Sequence, residues 1–360
     1  MKRRELITVG AAAALVGCAG ESVDCGPAGS KETYTWKCVT TWPPNFPGLG
    51  TGVNRLASMI ERASGGRLKI KVYAAGELVP AFEVFDTVRS GTAEMGHGSA
   101  YYWKGKSEAA QFFTAIPFGM SAMEMNGWLY NGGGLELYRE LYADFGLVPF
   151  PAGNTGVQMG GWFNREINSM ADLQGLKMRI PGLGGEVLRR AGGTPVNLPG
   201  ADIFTALQTG SIDATEWIGP YNDVAFGLHK AARYYYYPGW QEPGPVLECT
   251  VNKAAYEALP PDLQAIVEIA CSATNDQMTA EFVARNAQSL AQLRSEGEVE
   301  FRSFPAEVLT RLRSLTDEVI AELVARDPVV AKVYESFSAY RDRAEDWTAL
   351  SEQAMLNTRP

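Results

Sequence analysis

The sequence predicts an α/β protein with two successive strand–helix series. Three observations carry this reading. The run "RLKIKVYAAGEL" sets Leu68, Ile70 and Val72 against Lys69, Lys71 and Tyr73, the period-two alternation of a half-buried strand. The preceding run "GVNRLASMIERASGG" has helical spacing and closes on Gly65 and Gly66, residues suited to a helix C-terminus. A second series of the same kind restarts near Asn154. Strands alternating with helices imply largely parallel sheets.

Order is expected from Tyr34. "YTWKCVTTW" reads as the first strand, "PAFEVFDTVRSG" as a helix with Pro80 in its first turn, and "AEMGHGSA" as a short strand. In the second series "TGVQMGGWFN", "LKMRIPG" and "DATEWIG" read as strands. "GGEVLRRAGG" and "GADIFTALQTG" read as helices, and a further helix runs through His229. The four tyrosines Tyr234 to Tyr237 form a strand with aromatic packing on both faces. After "PVLECTVNK", Pro260 opens a helical pattern that continues to about Glu296, long for a globular helix. "VEFRSF" is a last strand, and helices follow over Ala306 to Ala325 and Pro328 to about Trp347. The final one reads as an amphipathic helix with no core left to join, a candidate dimer arm.

The chain has 360 residues, 46% hydrophobic and 20% charged, enough for two domains of ordinary size. Its start, "MKRRELITVGAAAALVGC", places Lys2, Arg3 and Arg4 before an apolar run from Leu6 to Val16. That run is too short to span a bilayer and reads as an export signal. "LVGC" resembles a lipobox, which would make Cys18 the lipidated first residue. The twin arginines leave Tat and Sec export both open. No later stretch is apolar enough to cross a membrane. Removing residues 1–17 takes away three positive charges and one negative, so the net charge moves from -9 to -11. Such acidity argues against nucleic acid as a partner. Cys25, Cys38, Cys249 and Cys271 show neither CxxC nor metal-finger spacing; Cys25 falls in the tether, and the other three are expected to be buried free thiols.

Of the two histidines, His97 lies between glycines at a strand end and is expected to be a hydrogen-bonded packing residue. HExxH, GxSxG and Walker motifs are absent. "GLGGEV" at 182–187 fails the dinucleotide spacing at Val187. It leaves a glycine-rich turn at a helix start, either an anion site or simply a tight turn. Arg179 ends a strand just before it. Gln158, Glu216, and Gln241 with Glu242 stand at comparable strand ends, with Trp162, Trp217 and Trp240 nearby. Ligands of open α/β sheets bind beyond such ends. The set has no nucleophile paired with a base. It suits a small carboxylate, through arginine, and a hard cation, through oxygen donors.

"GLKMRIPG…LRRAGGTPVNLPGADIFTALQTGSIDATEWIGPYND" resembles the DctP-type substrate-binding proteins of tripartite ATP-independent periplasmic (TRAP) transporters. "EWIGP" with "YYYYPGWQEPG" resembles the branch that binds 2-oxo and 2-hydroxy monocarboxylates. The resemblance implies a two-lobed periplasmic binding fold with a long lobe-spanning helix and an additional C-terminal helix. After a signal peptide (1–17) and a tether (18–33), it implies lobe I over 34–152 and 240–272, and lobe II over 153–239 and 273–325. Residues 326–360 would form the C-terminal arm, exchanged in a homodimer.

The resemblance also makes Arg179 the partner of the substrate carboxylate. A bridging sodium or calcium ion would be held by Gln158, Glu216, the Trp217 carbonyl, and Gln241 or Glu242. Tyr101 and Trp103 would wall the site from the first lobe, and Asn222 joins the substrate-binding set. Arg179 and two carboxylates, one of them the ligand's, sum to minus one, which calls for a cation. Sodium balances that sum, and calcium balances better if Glu242 also enters the shell. A 2-oxo or 2-hydroxy acid would chelate the ion in a five-membered ring. The implied protein is a non-enzymatic, extracytoplasmic receptor working with membrane permease subunits. The alternatives are a metal-free dicarboxylate or sugar-acid receptor and, more remotely, an exported enzyme acting on a carboxylic acid.

Overall fold

The computed structural model describes residues 32–359. Cys18, Cys25 and the leader lie outside them. The first sheet has the strand order β2-β1-β3-β10-β4. Its strands are β1 (Tyr34–Thr40), β2 (Leu68–Tyr73), β3 (Met95–Gly98), β4 (Leu147–Asn154) and β10 (Val246–Asn252). The second sheet runs β11-β9-β5-β8-β6-β7. It comprises β5 (Gly161–Phe163), β6 (Lys177–Arg179), β7 (Thr194–Val196), β8 (Ala214–Thr215), β9 (Tyr234–Tyr237) and β11 (Glu300–Ser303).

Both sheets are mixed rather than largely parallel. β10 is antiparallel to β3 and to β4, and β5 is antiparallel to β8 and β9. The cause is connectivity. The chain leaves the first sheet after β4, returns to it as β10, and leaves again to add β11. A strand that re-enters from another sheet is not tied to the direction a local strand–helix–strand crossover imposes.

The helices of the first strand series are α1 (Gly50–Ala63), α2 (Val84–Arg89), α3 (Ala122–Asn131) and α4 (Gly134–Ala143). α5 (Gly182–Arg190), α6 (Gly200–Gln208) and α7 (Pro220–Phe226) follow in the second. α8 (Lys253–Glu257) leads into α9, a continuous helix over Pro261–Glu296. α9 touches both sheets' surroundings. Met278 packs on Gly52 of α1 and Gly153 of β4, while Asn286 Oδ1 accepts from the Tyr221 amide of α7 at 2.9 Å.

Two strands are shorter than the sequence predicts. "TGVQMGGWFN" is a strand only over Gly161–Phe163, and "DATEWIG" only over Ala214–Thr215. Gly156 and Gly161 take φ of 69° and 119°, conformations that side-chain-bearing residues avoid. Gln158 therefore leaves the ladder and pairs its amide with the Glu242 carbonyl at 3.2 Å. The tyrosine strand does pack on both faces. Tyr235 stacks on Trp162 at 3.9 Å, and Tyr236 on Phe304 at 4.8 Å.

α10 (Ala306–Arg326) precedes α11 (Pro328–Leu350) and α12 (Glu352–Leu356). α11 is not a helix without a core. Val330, Val333 and Phe337 are buried, and Trp128 of α3 donates its indole N–H to Ser336 at 3.2 Å. Tyr340 fills the space left by Gly127 and Gly132. Its distal turns and α12 are the exposed part, with Trp347 71% and Leu350 81% exposed, although the Thr348 hydroxyl still donates to Glu124 of α3. Among the described residues, no helix is long and apolar enough to cross a membrane. Cys38, Cys249 and Cys271 are buried free thiols.

Candidate functional site

The site lies where segments from both sheets meet. Trp42, Leu49, Tyr101 and Tyr102 come from the first series. Gln158, Trp217 and Ile218 come from the second, and Glu242 and Leu247 from the return to β10.

Arg179 ends β6 at 1% exposure and is charge-paired with fully buried Glu216. Its other contacts are Nε to the Leu198 carbonyl at 3.2 Å and Nη1 to the Glu216 carbonyl at 3.5 Å. Among the described residues Nη2 makes only a long contact, 3.4 Å to the Tyr102 hydroxyl, so this nitrogen retains capacity to donate. The guanidinium lies 5.1 Å from the Trp217 ring centre, a cation–π distance. Burial pushes the Glu216 carboxyl up to about 7 against the opposing pull of Arg179. Burial, then the neighbouring Glu216 charge, push Glu242 well above the usual carboxylate range.

The acceptor oxygens define the chemistry. Gln158 Nε2 donates to Glu242 Oε2 at 2.8 Å, and Gln241 Nε2 donates to the Met159 carbonyl at 2.9 Å. A carboxylate and a carbonyl only accept, so both amides are fixed with their oxygens on the opposite side. Gln158 Oε1, Gln241 Oε1 and Glu216 Oε2 are buried without a hydrogen-bond partner among the described residues. No donor among those residues engages the Trp217 carbonyl either, because β8 stops two residues earlier. Buried acceptors left unsatisfied are costly. An all-oxygen set that includes one carboxylate fits a hard cation. Glu242 differs: Gln158 and the Tyr101 hydroxyl already occupy its carboxylate. Between the two alternatives, Gln241 has the free oxygen.

Two expected residues sit elsewhere. Trp103, expected on the wall, turns into the core and donates its indole N–H to buried Glu248, which also accepts from the Tyr138 hydroxyl. Its neighbour Tyr102 lines the cleft instead. A short turn over Ala100–Trp103 presents successive side chains to different sides, so adjacency in "AYYW" did not reveal which ring faces the ligand. Asn222, expected to contact substrate, donates Nδ2 to the Pro47 carbonyl at 2.9 Å, although its Oδ1 is unpartnered. Tyr101 lies against the α5 start, its Cβ 3.2 Å from where a side chain on Gly182 would begin. With Gly182 at φ 61°, the glycine-rich turn is explained by close packing.

Trp42, Phe46 and Leu49 were not singled out from sequence, although "TTWPPNFPGLG" follows the carboxyl end of β1. Phe46 stacks on Phe226 at 4.1 Å and meets the Trp217 ring edge-on at 6.2 Å. Trp42 is held by His97, whose Nδ1 accepts the indole N–H at 2.8 Å. The other ring nitrogen faces the Ala152 carbonyl at 3.1 Å. An indole only donates and a carbonyl only accepts, so the ring is the neutral tautomer with its proton on Nε2.

Burial lowers this histidine from the ordinary 6.5 to about 4. The unfolded chain therefore protonates first as the solution is acidified. The stability tied to the neutral ring is whole above pH 6.5 and falls away as pH drops through about 4, by about 3 kcal/mol in all. Urea unfolding of the wild type and of His97→Gln at pH 7.5 and pH 4 checks this. The wild type is expected to lose more stability than the variant, by about that amount; parallel losses would remove His97 from the account.

The buried Arg179–Glu216 pair and the unpartnered oxygens are carried by segments of two mixed sheets, a set of groups chemically suited to a small anion and a hard cation. Residues 38–327 match the bacterial extracellular solute-binding protein family 7, DctP, and the chain belongs to that family. It is 42% identical to a monocarboxylate 2-oxoacid-binding periplasmic protein of Nostoc sp., over 99% of this chain and 98% of the other. Among solved structures it is similar to a TRAP periplasmic solute-binding protein from Pseudoalteromonas atlantica with bound sodium and pyruvate. That match has 45% identity and a TM-score of 0.89, over 91% of this chain and all of the other. A protein of the same class from Colwellia psychrerythraea, with bound calcium and pyruvate, matches at 44% identity and a TM-score of 0.89 with the same coverage.

Proposed function

We propose that this protein captures a 2-oxo or 2-hydroxy monocarboxylate of pyruvate size and delivers it, chemically unchanged, to the membrane permease of a TRAP transporter. The observation that carries the reading is that Gln158 Oε1, Gln241 Oε1 and Glu216 Oε2 are all buried without a hydrogen-bond partner among the described residues, with Glu216 paired to Arg179. When bound, the cation supplies positive charge and coordination to two oxygens on adjacent carbons of the acid. Gln158, Glu216, Gln241 and the Trp217 carbonyl would hold it. Arg179 Nη2 donates to the ligand carboxylate, while Nε and Nη1 stay anchored to Leu198 and Glu216. Trp42, Tyr102 and Trp217 exclude water. The Phe46–Phe226 stack and the Asn222–Pro47 hydrogen bond join the two sides of the cleft, contacts suited to a closed, ligand-trapping form. The relatives' names and bound ligands support the same substrate class.

Calorimetry with pyruvate, 2-oxobutyrate and lactate, with and without added metal, tests the reading. Binding of at least one acid is expected, with the acid recovered unchanged. The absence of binding by all three would sink it.

Sequence segments 34–152 with 240–272 and 153–239 with 273–325 are proposed as the two lobes, with lipid attachment at Cys18 outside the membrane. The distal turns of α11 are proposed to meet a second copy of the chain, because Trp347, Leu350, Met355 and Leu356 are exposed together on this arm. Leu350→Glu with Trp347→Glu is expected to convert a dimer into a monomer in sedimentation equilibrium. A wild type that is already monomeric at tens of micromolar would dismiss the arm.

A further inference from the structure

We infer that Ser99 narrows the substrate class: its hydroxyl exchanges a hydrogen bond with an oxygen on the third carbon of the bound acid. The ligands that fit are 3-hydroxy-2-oxo and 2,3-dihydroxy monocarboxylates. The inference rests on the functional reading above and names the substrate within it.

Ser99 directly follows β3, which runs parallel to β1. It therefore stands at the carboxyl end of its strand, as Trp42 stands beyond the end of β1. Open α/β sheets present their ligand groups at such ends. Ser99 lines the cleft at 0% exposure. Its hydroxyl has no hydrogen-bond partner among the described residues. A serine at the start of a helical turn ordinarily caps it. The turn over Ala100–Trp103 receives no side-chain cap from Ser99. Ser107 does cap the next turn, accepting from the Ala109 amide at 3.3 Å. Ser99 holds its turn through the carbonyl instead, which accepts the Tyr102 amide at 3.0 Å. The hydroxyl is left over, and a buried hydroxyl without a bond is costly.

The other polar groups on this wall are already engaged. Trp42 donates to His97, the Tyr101 hydroxyl is bonded to Glu242, and the Tyr102 hydroxyl meets Arg179. Leu49 and Leu247 add apolar surface. The groups proposed for the carboxylate and the 2-oxygen, through Arg179 and the cation, all lie in the chain from Gln158 to Gln241. An acid held there by its first two carbons presents the third to the wall from the first sheet, where Ser99 is. A methyl, as in the pyruvate bound by two similar proteins, would leave the serine hydroxyl unsatisfied. A ligand hydroxyl both donates and accepts and would satisfy it. Trp217, which also lines the cleft, carries a further buried donor without a partner among the described residues, its indole N–H. An extra ligand oxygen thus has more than one group to meet.

The test uses the full chain. Hydroxypyruvate is compared with pyruvate, and glycerate with lactate, by calorimetry with the same metal in every titration. Each pair differs by one oxygen on the third carbon. Wild type is expected to bind the oxygenated member about tenfold or more tightly, because a site built to bond a ligand hydroxyl rejects the analogue without it. In Ser99→Ala that ratio is expected to fall by about tenfold. Ser99→Cys, close in size but a weak donor, is expected to lower it likewise. A ratio of affinities within one folded variant is insensitive to general damage, so a merely structural role for Ser99 would not move it.

Oxygenated acids that bind wild type no more tightly than their partners overturn the inference and leave the functional reading standing. An unchanged ratio in folded Ser99→Ala removes Ser99 from the site. An equal loss for both members of a pair puts the hydroxyl on a group they share and overturns the assignment to the third carbon. Failure of wild type to bind pyruvate, 2-oxobutyrate or lactate overturns the functional reading and the inference with it. Should Ser99→Ala fail to fold, Ser99→Cys and the wild-type comparison decide.

Discussion

Arg179→Ala is expected to abolish measurable pyruvate binding and to lower the unfolding free energy by about 3–5 kcal/mol. Two losses combine in this one substitution. The ligand carboxylate loses Nη2, the guanidinium nitrogen with donor capacity to spare. Glu216 loses its only salt-bridge partner among the described residues and is left as a buried charge with Oε2 already unsatisfied. Breaking such a pair costs far more than the pair contributes when intact, because the survivor keeps its desolvation penalty. Calorimetry measures the first effect and urea unfolding the second. Retained affinity in a folded variant would remove Arg179 from the site. Arg179→Lys is expected to fall short of rescue, since an ammonium cannot bond Leu198 and Glu216 and also reach the ligand as the planar fork does.

Asp223→Ala is expected to match that stability loss, about 3–5 kcal/mol, and to weaken pyruvate binding without removing a ligand contact. Asp223 is buried on α7 and accepts four donors. They are the Trp162 indole at 2.9 Å, the Tyr235 hydroxyl at 2.6 Å, and the amides of Ile218 and Gly219 at 3.2 and 3.1 Å. Burial pushes its carboxyl up to about 6, with those donors pulling the other way. The two amides fix the chain immediately after Trp217, and so aim its carbonyl, the one proposed to hold the cation. Truncation leaves all four donors without this acceptor and releases that turn. An affinity equal to wild type in a destabilised but folded variant would show that the Trp217 carbonyl is held by something else.

How much was legible follows from the range of each interaction. α1, β2, α9 and α10 could be read because helix and strand periods are local. The ends of β5 and β8 could not. They are set by a crossing between sheets that frees Gln158 and Trp217 from the ladder, and a crossing leaves no period. The region from Ser99 to Gly153 has strong aromatic content but no clean alternation. α3, α4 and β4 were consequently not assigned there. The misreading of α11 has the same root. Its partner surface is Trp128 with the gaps at Gly127 and Gly132, some 200 residues away. With that surface unseen, the helix looked surplus.

The residue types of the site were legible for a related reason. Arg179, Gln158, Glu216 and Gln241 stand at strand ends, where α/β sheets present their ligand groups. Trp42, Phe46 and Tyr102 were missed because a loop aromatic carries no mark of which way it faces.

The sequence alone determined the kinds of group available: one arginine, carboxylates and carboxamides near strand ends, and no nucleophile–base pair. Tertiary structure decided which atoms of those groups remain to bind anything. Glu242 and the Met159 carbonyl take the N–H sides of Gln158 and Gln241 and leave both oxygens without a partner among the described residues, and Arg179 takes one oxygen of Glu216 and leaves the other. Hydrogen-bond satisfaction depends on spatial neighbours, many of them distant along the chain. A string of residues can therefore show donors and acceptors, but only the folded chain shows which are already spent.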